Sequence, residues 1–337
     1  MSESSTPRQV LFTVVNVLAL IVALAAVLSV FQNTDSRFLK MLDFPRIQLF
    51  WASVVGLALL PLTERTVSRR EVPTMLALTV GLLVQVYYLL PYTALHGEAV
   101  PELGPEVSAD ERFELLMVNV RMDNRDAAPI LDLVRERRPE LFLAMETDAY
   151  WDEQFAELEA DYPYGKEAIN DETYGMVLYS ELPLREVEVH YRQNANVPSF
   201  SAVAQLPSGR EFDLHTVHPV PPKRFDELPD NKGEREVELL EVGDAVAASA
   251  RPAVVIGDFN DVAWSATDRL TGTDDVLRDA RVGRGFYNSF DASNPLMRWP
   301  LDHVFVTDGW AVGAFGRGPD VGSDHFPVFA ELGYVGN

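Results

Sequence analysis

Three short stretches in the last third of the chain carry residue types suited to hydrolysis: Gly257-Asp258-Phe259-Asn260, Leu301-Asp302-His303 and Gly322-Ser323-Asp324-His325. Each adjoins an apolar run of strand character. Pro252-Ala253-Val254-Val255-Ile256 precedes the first, Val304-Phe305-Val306 continues the second, and Pro327-Val328-Phe329 follows the third. Carboxylate, amide and imidazole groups presented together from strand ends sit on rigid supports, one way to build a metal-assisted hydrolytic site. Asp258 and Asn260 lie two apart, so in extended backbone they point to the same side. Taken alone, Gly-Asp-Phe-Asn reads as a plain turn. The three stretches in one chain, in this order, carry the argument.

Four further stretches lie upstream. Phe113–Val120 is an apolar run holding Asn119, and Pro139–Glu146 is one ending in Glu146. Tyr174–Ser180 leads into Ser180-Glu181-Leu182-Pro183-Leu184, and Phe212–Pro219 carries His215 and His218. With the C-terminal motifs, these resemble the endonuclease/exonuclease/phosphatase superfamily, which includes pancreatic deoxyribonuclease, the apurinic endonucleases, inositol polyphosphate phosphatases and neutral sphingomyelinases. The resemblance runs from Arg112 to Leu332. It implies an α/β fold, a four-layer α/β/β/α sandwich with its site at one edge of two packed sheets. It is specific for fold and general chemistry and silent on substrate.

Residue by residue, the resemblance implies a metal ligand at Glu146, whose carboxylate suits a hard divalent ion. Asn119 would support the metal shell or a phosphate oxygen. Asp258 would orient or deprotonate the attacking water, and Asn260 would hold Asp258 and a phosphate oxygen. His325 is the candidate catalytic histidine, with Asp302 behind its ring to fix the tautomer and favour the protonated form. Asp324 would contact a metal. His218 matches the family's phosphate-contacting histidine. His215, three residues earlier on a strand, should face the other way, as should His303 beside Asp302. His96 and His190 receive no chemistry. Lys223 and Arg224, in the Pro-rich loop after His218, are candidate substrate contacts, with a solvated loop as the equal alternative.

These residues need elements to hold them. Asp126 can cap a helix running to Arg138, ended by Pro139, and Arg235–Ala248 is a second amphipathic helix. Leu184–Tyr191, Ser199–Gln205 and Glu211–Val217 are short strand-like runs, the last two joined at Pro207-Ser208-Gly209 as a hairpin. Strands alternating with a few helices suggest a layered α/β domain over 111–337.

Residues 1–96 read as a membrane anchor with three predicted spans, 10–30, 47–62 and 73–95, the middle one short. The apolar run at 10–30 is longer than that of a cleaved signal peptide. Residues 97–110, rich in Pro, Gly and Glu, read as a linker. Arg8, Arg65, Arg69 and Arg70 would lie on one side, against Arg37, Lys40 and Arg46 on the other. The excess of one places the N-terminus in the cytoplasm and the catalytic domain outside, the arrangement of a multi-pass protein of a bacterial-type inner membrane. From residue 98 on there are 21 Lys and Arg against 46 Asp and Glu, a net charge of −25. Tight duplex binders carry a basic stripe instead. With no cysteine, neither disulfides nor thiolate metal sites are available.

The sequence therefore predicts a membrane-anchored, divalent-metal-dependent phosphoesterase, a phosphodiesterase before a monoesterase, with Mg²⁺ as cofactor and Mn²⁺ as substitute. The substrate is a phosphoester on nucleic acid or on a lipid or small-molecule headgroup. A silent membrane scaffold of the same fold is the reading from another class. No feature points to a protein partner.

Overall fold

The computed structural model describes residues 7–32, 36–63, 71–192, 195–221, 234–265 and 276–336. It separates into two compact units, Met1–Pro91 and Tyr92–Asn337.

The first unit holds helices α1 (Pro7–Leu28), α2 (Arg37–Lys40), α3 (Arg46–Thr63) and α4 (Val72–Leu89). Ala19, Ala23, Leu60 and Leu78 form its packed centre. A Cβ added at Gly81 would lie 2.8 Å from that of Ala26, so α4 approaches α1 closely through small residues. A buried polar cluster joins the helices: Arg46 pairs with Asp43 at 2.5 Å and donates to Ser29 Oγ at 3.0 Å and Gln85 Oε1 at 3.2 Å. Two helices, Pro7–Leu28 and Val72–Tyr92, are long and apolar enough to cross a membrane. The expected middle span is helical, but its apolar stretch, Arg46–Leu62, is shorter: it opens on buried Arg46 and carries Pro61 near its end.

In the second unit, the stretch expected as a linker is packed rather than free. Val100 is buried in the core, Leu103 N–H donates to Val312 O at 2.9 Å, and Val312 N–H donates to Pro101 O at 2.9 Å. The apolar Val100 and Leu103 draw this otherwise polar segment onto the domain.

Twelve described strands form two six-stranded sheets. The first runs in the order β11 (Trp310–Arg317), β12 (Val328–Tyr334), β1 (Arg112–Asn119), β2 (Leu141–Met145), β4 (Met176–Ser180) and β3 (Tyr164–Ala168). The second runs β5 (Leu184–His190), β6 (Ser199–Gln205), β7 (Glu211–Val217), β8 (Ala253–Asp258), β10 (Asp302–Val306) and β9 (Arg278–Asp279). Each has one parallel pair at its centre, β1 with β2 and β7 with β8.

Alternation along the strands sorts the layers. Leu115 and Met117 of β1, Leu143 of β2, Leu214 of β7, Ile256 of β8 and Val304 of β10 share the core between the sheets. The outer face of the first sheet, with Leu116, Val118, Phe142 and Ala144, is covered by α5 (Ala128–Arg137) and α6 (Ala149–Phe155) through Ile130, Val134, Trp151 and Phe155. The outer face of the second, with Val217, Val255 and Phe305, is covered by α7 (Glu234–Ala248) through Leu239, Val242 and Val246. These are the four layers α/β/β/α. The hairpin expected at Pro207-Ser208-Gly209 joins β6 to β7, with Gly209 at φ +91°.

Candidate active site

The same alternation delivers most of the site. Asn119 ends β1 on the parity of Leu115 and Met117, Asp258 ends β8 on that of Val254 and Ile256, and Asp302 opens β10 on that of Val304. All three therefore face between the sheets at one edge. His218 continues β7 on the parity of Phe212 and Leu214. His215 points to the opposite face, buried, where loss of hydration lowers its pKa to about 4. His303 likewise turns away, its Nε2 2.9 Å from Asp261 O and its Nδ1 3.3 Å from an Arg281 nitrogen.

Glu146 breaks the alternation. It follows Met145, which is in the inter-sheet core, so continued extended backbone would send its side chain outward. Instead it adopts φ +62°, a left-handed conformation uncommon outside glycine, and its carboxylate meets Asn119. Arg121, two residues beyond Asn119, has φ +57°, and Asn260, two beyond Asp258, has φ +50°. Left-handed non-glycine residues thus follow three strand ends at one edge, the clustering found where backbone strain serves a site. Gly257, at φ +149°, has no room for a side chain: a Cβ would lie 1.9 Å from Val217 O. β7 and β8 approach through that gap, which brings His218 beside Asp258.

Asp258 Oδ2 is the point of convergence. Asn119 Nδ2 donates to it at 3.1 Å, His325 Nε2 lies 3.5 Å away and His218 Nε2 3.8 Å away. Its Oδ1 accepts from Asn260 N–H at 2.8 Å. Burial pushes the Asp258 pKa up to about 7, against the opposing pull of His325. The expectation that Asn260 shares a face with Asp258 rested on extended backbone, which ends at Asp258. The Asn260 backbone holds Asp258, while its side chain donates to Pro219 O at 3.0 Å.

His325 Nδ1 is 2.9 Å from Asp302 Oδ2. Burial disfavours the imidazolium, but Asp302 and Asp258 on its two nitrogens outweigh burial and raise its pKa to about 10. The same pairing overcomes burial at Asp302 and leaves its pKa below the ordinary value. His218 has no such support. Burial, then the charge of His325, lowers its pKa to about 3, so it is neutral at physiological pH.

Glu146 Oε1 accepts from Asn119 Nδ2 at 2.8 Å and Oε2 from Met122 N–H at 3.3 Å. Its pKa is raised chiefly by desolvation, with Asp324 adding repulsion. Asp324 lies partly buried, its Oδ1 3.4 Å from Ser323 Oγ. Amide donors and neighbouring acids round a carboxylate, with no arginine or lysine bonded to it among the described residues, form a donor set that suits a hard divalent ion. Asp258, Asp302 and His325 also offer ligand atoms within 4.8 Å of one another. In that group, however, both ring nitrogens face carboxylates and the ring holds its proton, so it fits proton transfer better than metal ligation.

The structure therefore brings together Asn119, Glu146, His218, Asp258, Asp302, Asp324 and His325, with Asn260 at the rim. Lys223 and Arg224 lie outside the described residues. Two contributors were not assigned a role from sequence. Ser323 Oγ donates to Asn119 O at 2.7 Å and accepts from His325 N–H at 3.0 Å, tying the two halves together. The Tyr174 ring packs 5.3 Å from that of His218, and its buried hydroxyl has no hydrogen-bond partner among the described residues. Burial and the Glu146 and Asp258 carboxylates raise its pKa, keeping it a donor. Ser323 stands within Gly322-Ser323-Asp324-His325 and could have been found there; nothing in the sequence singles out Tyr174.

Residues 118–325 match the sequence profile of the Endonuclease/Exonuclease/phosphatase family. The chain belongs to this family. Its members are hydrolases of the phosphodiesterase and nuclease type, and they generally use divalent metals. Solved structures share the fold. A humanized D. rerio TDP2 carrying 14 mutations aligns with TM-score 0.55 at 15% identity, over 66% of this chain and 99% of that one. The human Nocturnin catalytic domain with bound sulfate gives 0.52 at 13%, over 66% and 95%. An endonuclease/exonuclease/phosphatase from Beutenbergia cavernae DSM 12333 gives 0.52 at 19%, over 66% and 72%. At these identities the likeness is one of fold. No curated protein matches the chain.

Proposed function

We propose that this chain is a membrane-anchored phosphodiesterase that needs Mg²⁺, or Mn²⁺ in its place, and directs water in line onto phosphorus. The observation that carries this reading is the set of polar groups meeting at Asp258 Oδ2. With a pKa near 7, Asp258 is basic enough at neutral pH to take the proton of an attacking water and acidic enough to release it again. Asn119 and the Asn260 backbone hold its carboxylate in one orientation. His325, kept protonated by Asp302, sets a fixed positive charge where phosphoryl oxygens gain negative charge. Neutral His218 and the Tyr174 hydroxyl can donate hydrogen bonds without adding charge. A divalent ion held by Glu146, with Asp324 nearby, would neutralise charge on the leaving and non-bridging oxygens.

A silent scaffold is disfavoured because the whole set is present, with Asn119, Glu146, Asp258, Asp302 and His325 in contact with one another. The two long apolar helices support the anchor, and the arginine and lysine bias supports an extracytoplasmic catalytic domain. Alkaline phosphatase fused after Asn337 should then be active, and a cytoplasm-dependent fluorescent protein at the same place should be dark. The reverse pattern would overturn the orientation.

The test of the chemistry uses the full chain in detergent with bis(p-nitrophenyl) phosphate. EDTA should abolish turnover, and Mg²⁺ or Mn²⁺ should restore it. Full activity in chelator would sink the metal-dependent reading.

A further inference from the structure

The loop between β9 and β10 borders the site directly. Phe290 bridges His325 through the backbone, their rings 4.9 Å apart, and Ala292 N–H donates to Asp324 O at 2.7 Å. Beyond this anchorage the loop carries Leu296, 79% exposed, and Met297, 42% exposed. Two adjacent apolar side chains held toward water at the edge of a site call for an explanation that a scattered surface leucine does not.

The arginines beside them are the second observation. Arg298 lies over the Phe326 ring at 4.8 Å and Arg317 over the same ring at 4.0 Å. Arg298 donates to Asp291 O at 3.0 Å and Ala292 O at 2.6 Å, and Arg317 to Asn288 O at 2.8 Å. Neither meets a carboxylate among the described residues, whereas Arg112, Arg125, Arg137, Arg210 and Arg251 each do. In a domain this acidic, two arginines sharing one ring without an acid form a local positive spot. Each repels the other: the Arg317 pKa is lowered, by burial first and by the charge of Arg298 second. The one acid of the loop, Asp291, is turned onto Ser293, its Oδ1 accepting from Ser293 N–H at 2.8 Å and Oγ at 2.6 Å.

Exposed apolar groups next to guanidinium groups whose charge meets no carboxylate among the described residues match an anionic phospholipid surface, with headgroup phosphate above and acyl chain below. A nucleic acid offers phosphates but gives Leu296 and Met297 nothing to enter. We propose that the 291–299 loop, together with Arg317, is a phospholipid-contacting rim. Arg298 and Arg317 take lipid phosphates, Leu296 and Met297 enter the acyl boundary, and the site beside them receives a lipid-borne phosphodiester. This substrate class rests on the phosphodiesterase reading; the rim itself does not.

The absence of cysteine makes the test direct. Leu296→Cys in the full chain, labelled with an environment-sensitive fluorophore, is reconstituted into vesicles containing phosphatidylglycerol. Ser208→Cys on the β6–β7 hairpin is the control. The label at 296 should shift to the blue and be quenched by brominated acyl chains, and the label at 208 should not. In the Arg298→Gln/Arg317→Gln background, the ratio of inserted to free label should fall about thirtyfold, the effect of two arginines at an anionic surface. A solvent-like signal at 296 overturns the rim, as does a shift produced by single-stranded oligonucleotide and not by lipid. If the chain fails to reconstitute, the anchor reading is lost, and the rim must still respond when the labelled chain is titrated with the same vesicles in solution. Wild-type turnover of bis(p-nitrophenyl) phosphate reports on the phosphodiesterase reading separately. Insertion together with that turnover, but no hydrolysis of any vesicle phospholipid, would overturn the substrate class and leave the rim.

Discussion

The two halves of the site handle charge in opposite ways. At the ends of β8 and β10, Asp258 and Asp302 bracket one imidazolium, so this half is buried and largely self-neutralised. At the ends of β1 and β2, Glu146 is hydrogen-bonded only by amide donors among the described residues, with Asp324 adding negative charge against the pull of His325. A buried charge pair can persist without help, whereas a desolvated acid cluster calls for a cation or a proton. On the proposed reading, proton transfer falls to the first half and metal binding to the second.

The largest effects should come from the paired half. Asp258→Ala and His325→Ala are expected to lower kcat by about 10²–10⁴-fold, and His325→Ala should also lower the thermal midpoint, since it leaves two buried carboxylates without their cation. Asp302→Asn should do less damage, because it keeps a hydrogen bond to the ring while removing the charge. Wild-type activity should fall as pH drops through about 7, where Asp258 gains a proton, and again toward about 10, where His325 loses one. Asp302→Asn should move the alkaline limb to lower pH. An unmoved limb would show that Asp302 does not sustain the imidazolium.

An intermediate effect belongs to the acid-rich half. Glu146→Gln should raise the Mg²⁺ concentration needed for half activity by at least about tenfold, with much of kcat regained at saturating metal. If the Mg²⁺ titration were unchanged while kcat collapsed, the division between the halves would be wrong.

The smallest effect concerns His215, three residues from His218 and facing the other way. Its folded pKa, about 4, lies below the ordinary 6.5, so the unfolded chain binds the extra proton first. Stability is therefore lost as pH falls from about 6.5 to 4, by up to about 3 kcal/mol from this group. His215→Gln should flatten part of that loss in thermal midpoint while leaving kcat near wild type. A well-folded but inactive His215→Gln would place the wrong histidine in the site.

Much of this was legible in the chain because it depends on alternation. Side chains two apart on a strand share a face and neighbours do not, so the turning away of His215 from His218 and of His303 from Asp302 follows from counting positions. What depends on a departure from extended backbone was not legible. Glu146 reaches the site through a left-handed residue that no glycine announces, and the turn at Asn260 gives its contact with Asp258 to the backbone. The packed segment at Val100 and Leu103 was hidden for another reason: two apolar side chains among Pro, Gly and Glu are too few to show a period.

The pairing of β1 with β12 sets the order in which the enzyme can be made. Asn119 stands at one end of the matched region and His325 at the other, and Ser323 joins them. A growing chain exposes Asn119, Glu146, His218, Asp258 and Asp302 in turn, and none of them has its completed surroundings until the Gly322–His325 stretch arrives. Domains assemble from the N-terminal side during synthesis, so the site stays unfinished until that stretch has been made.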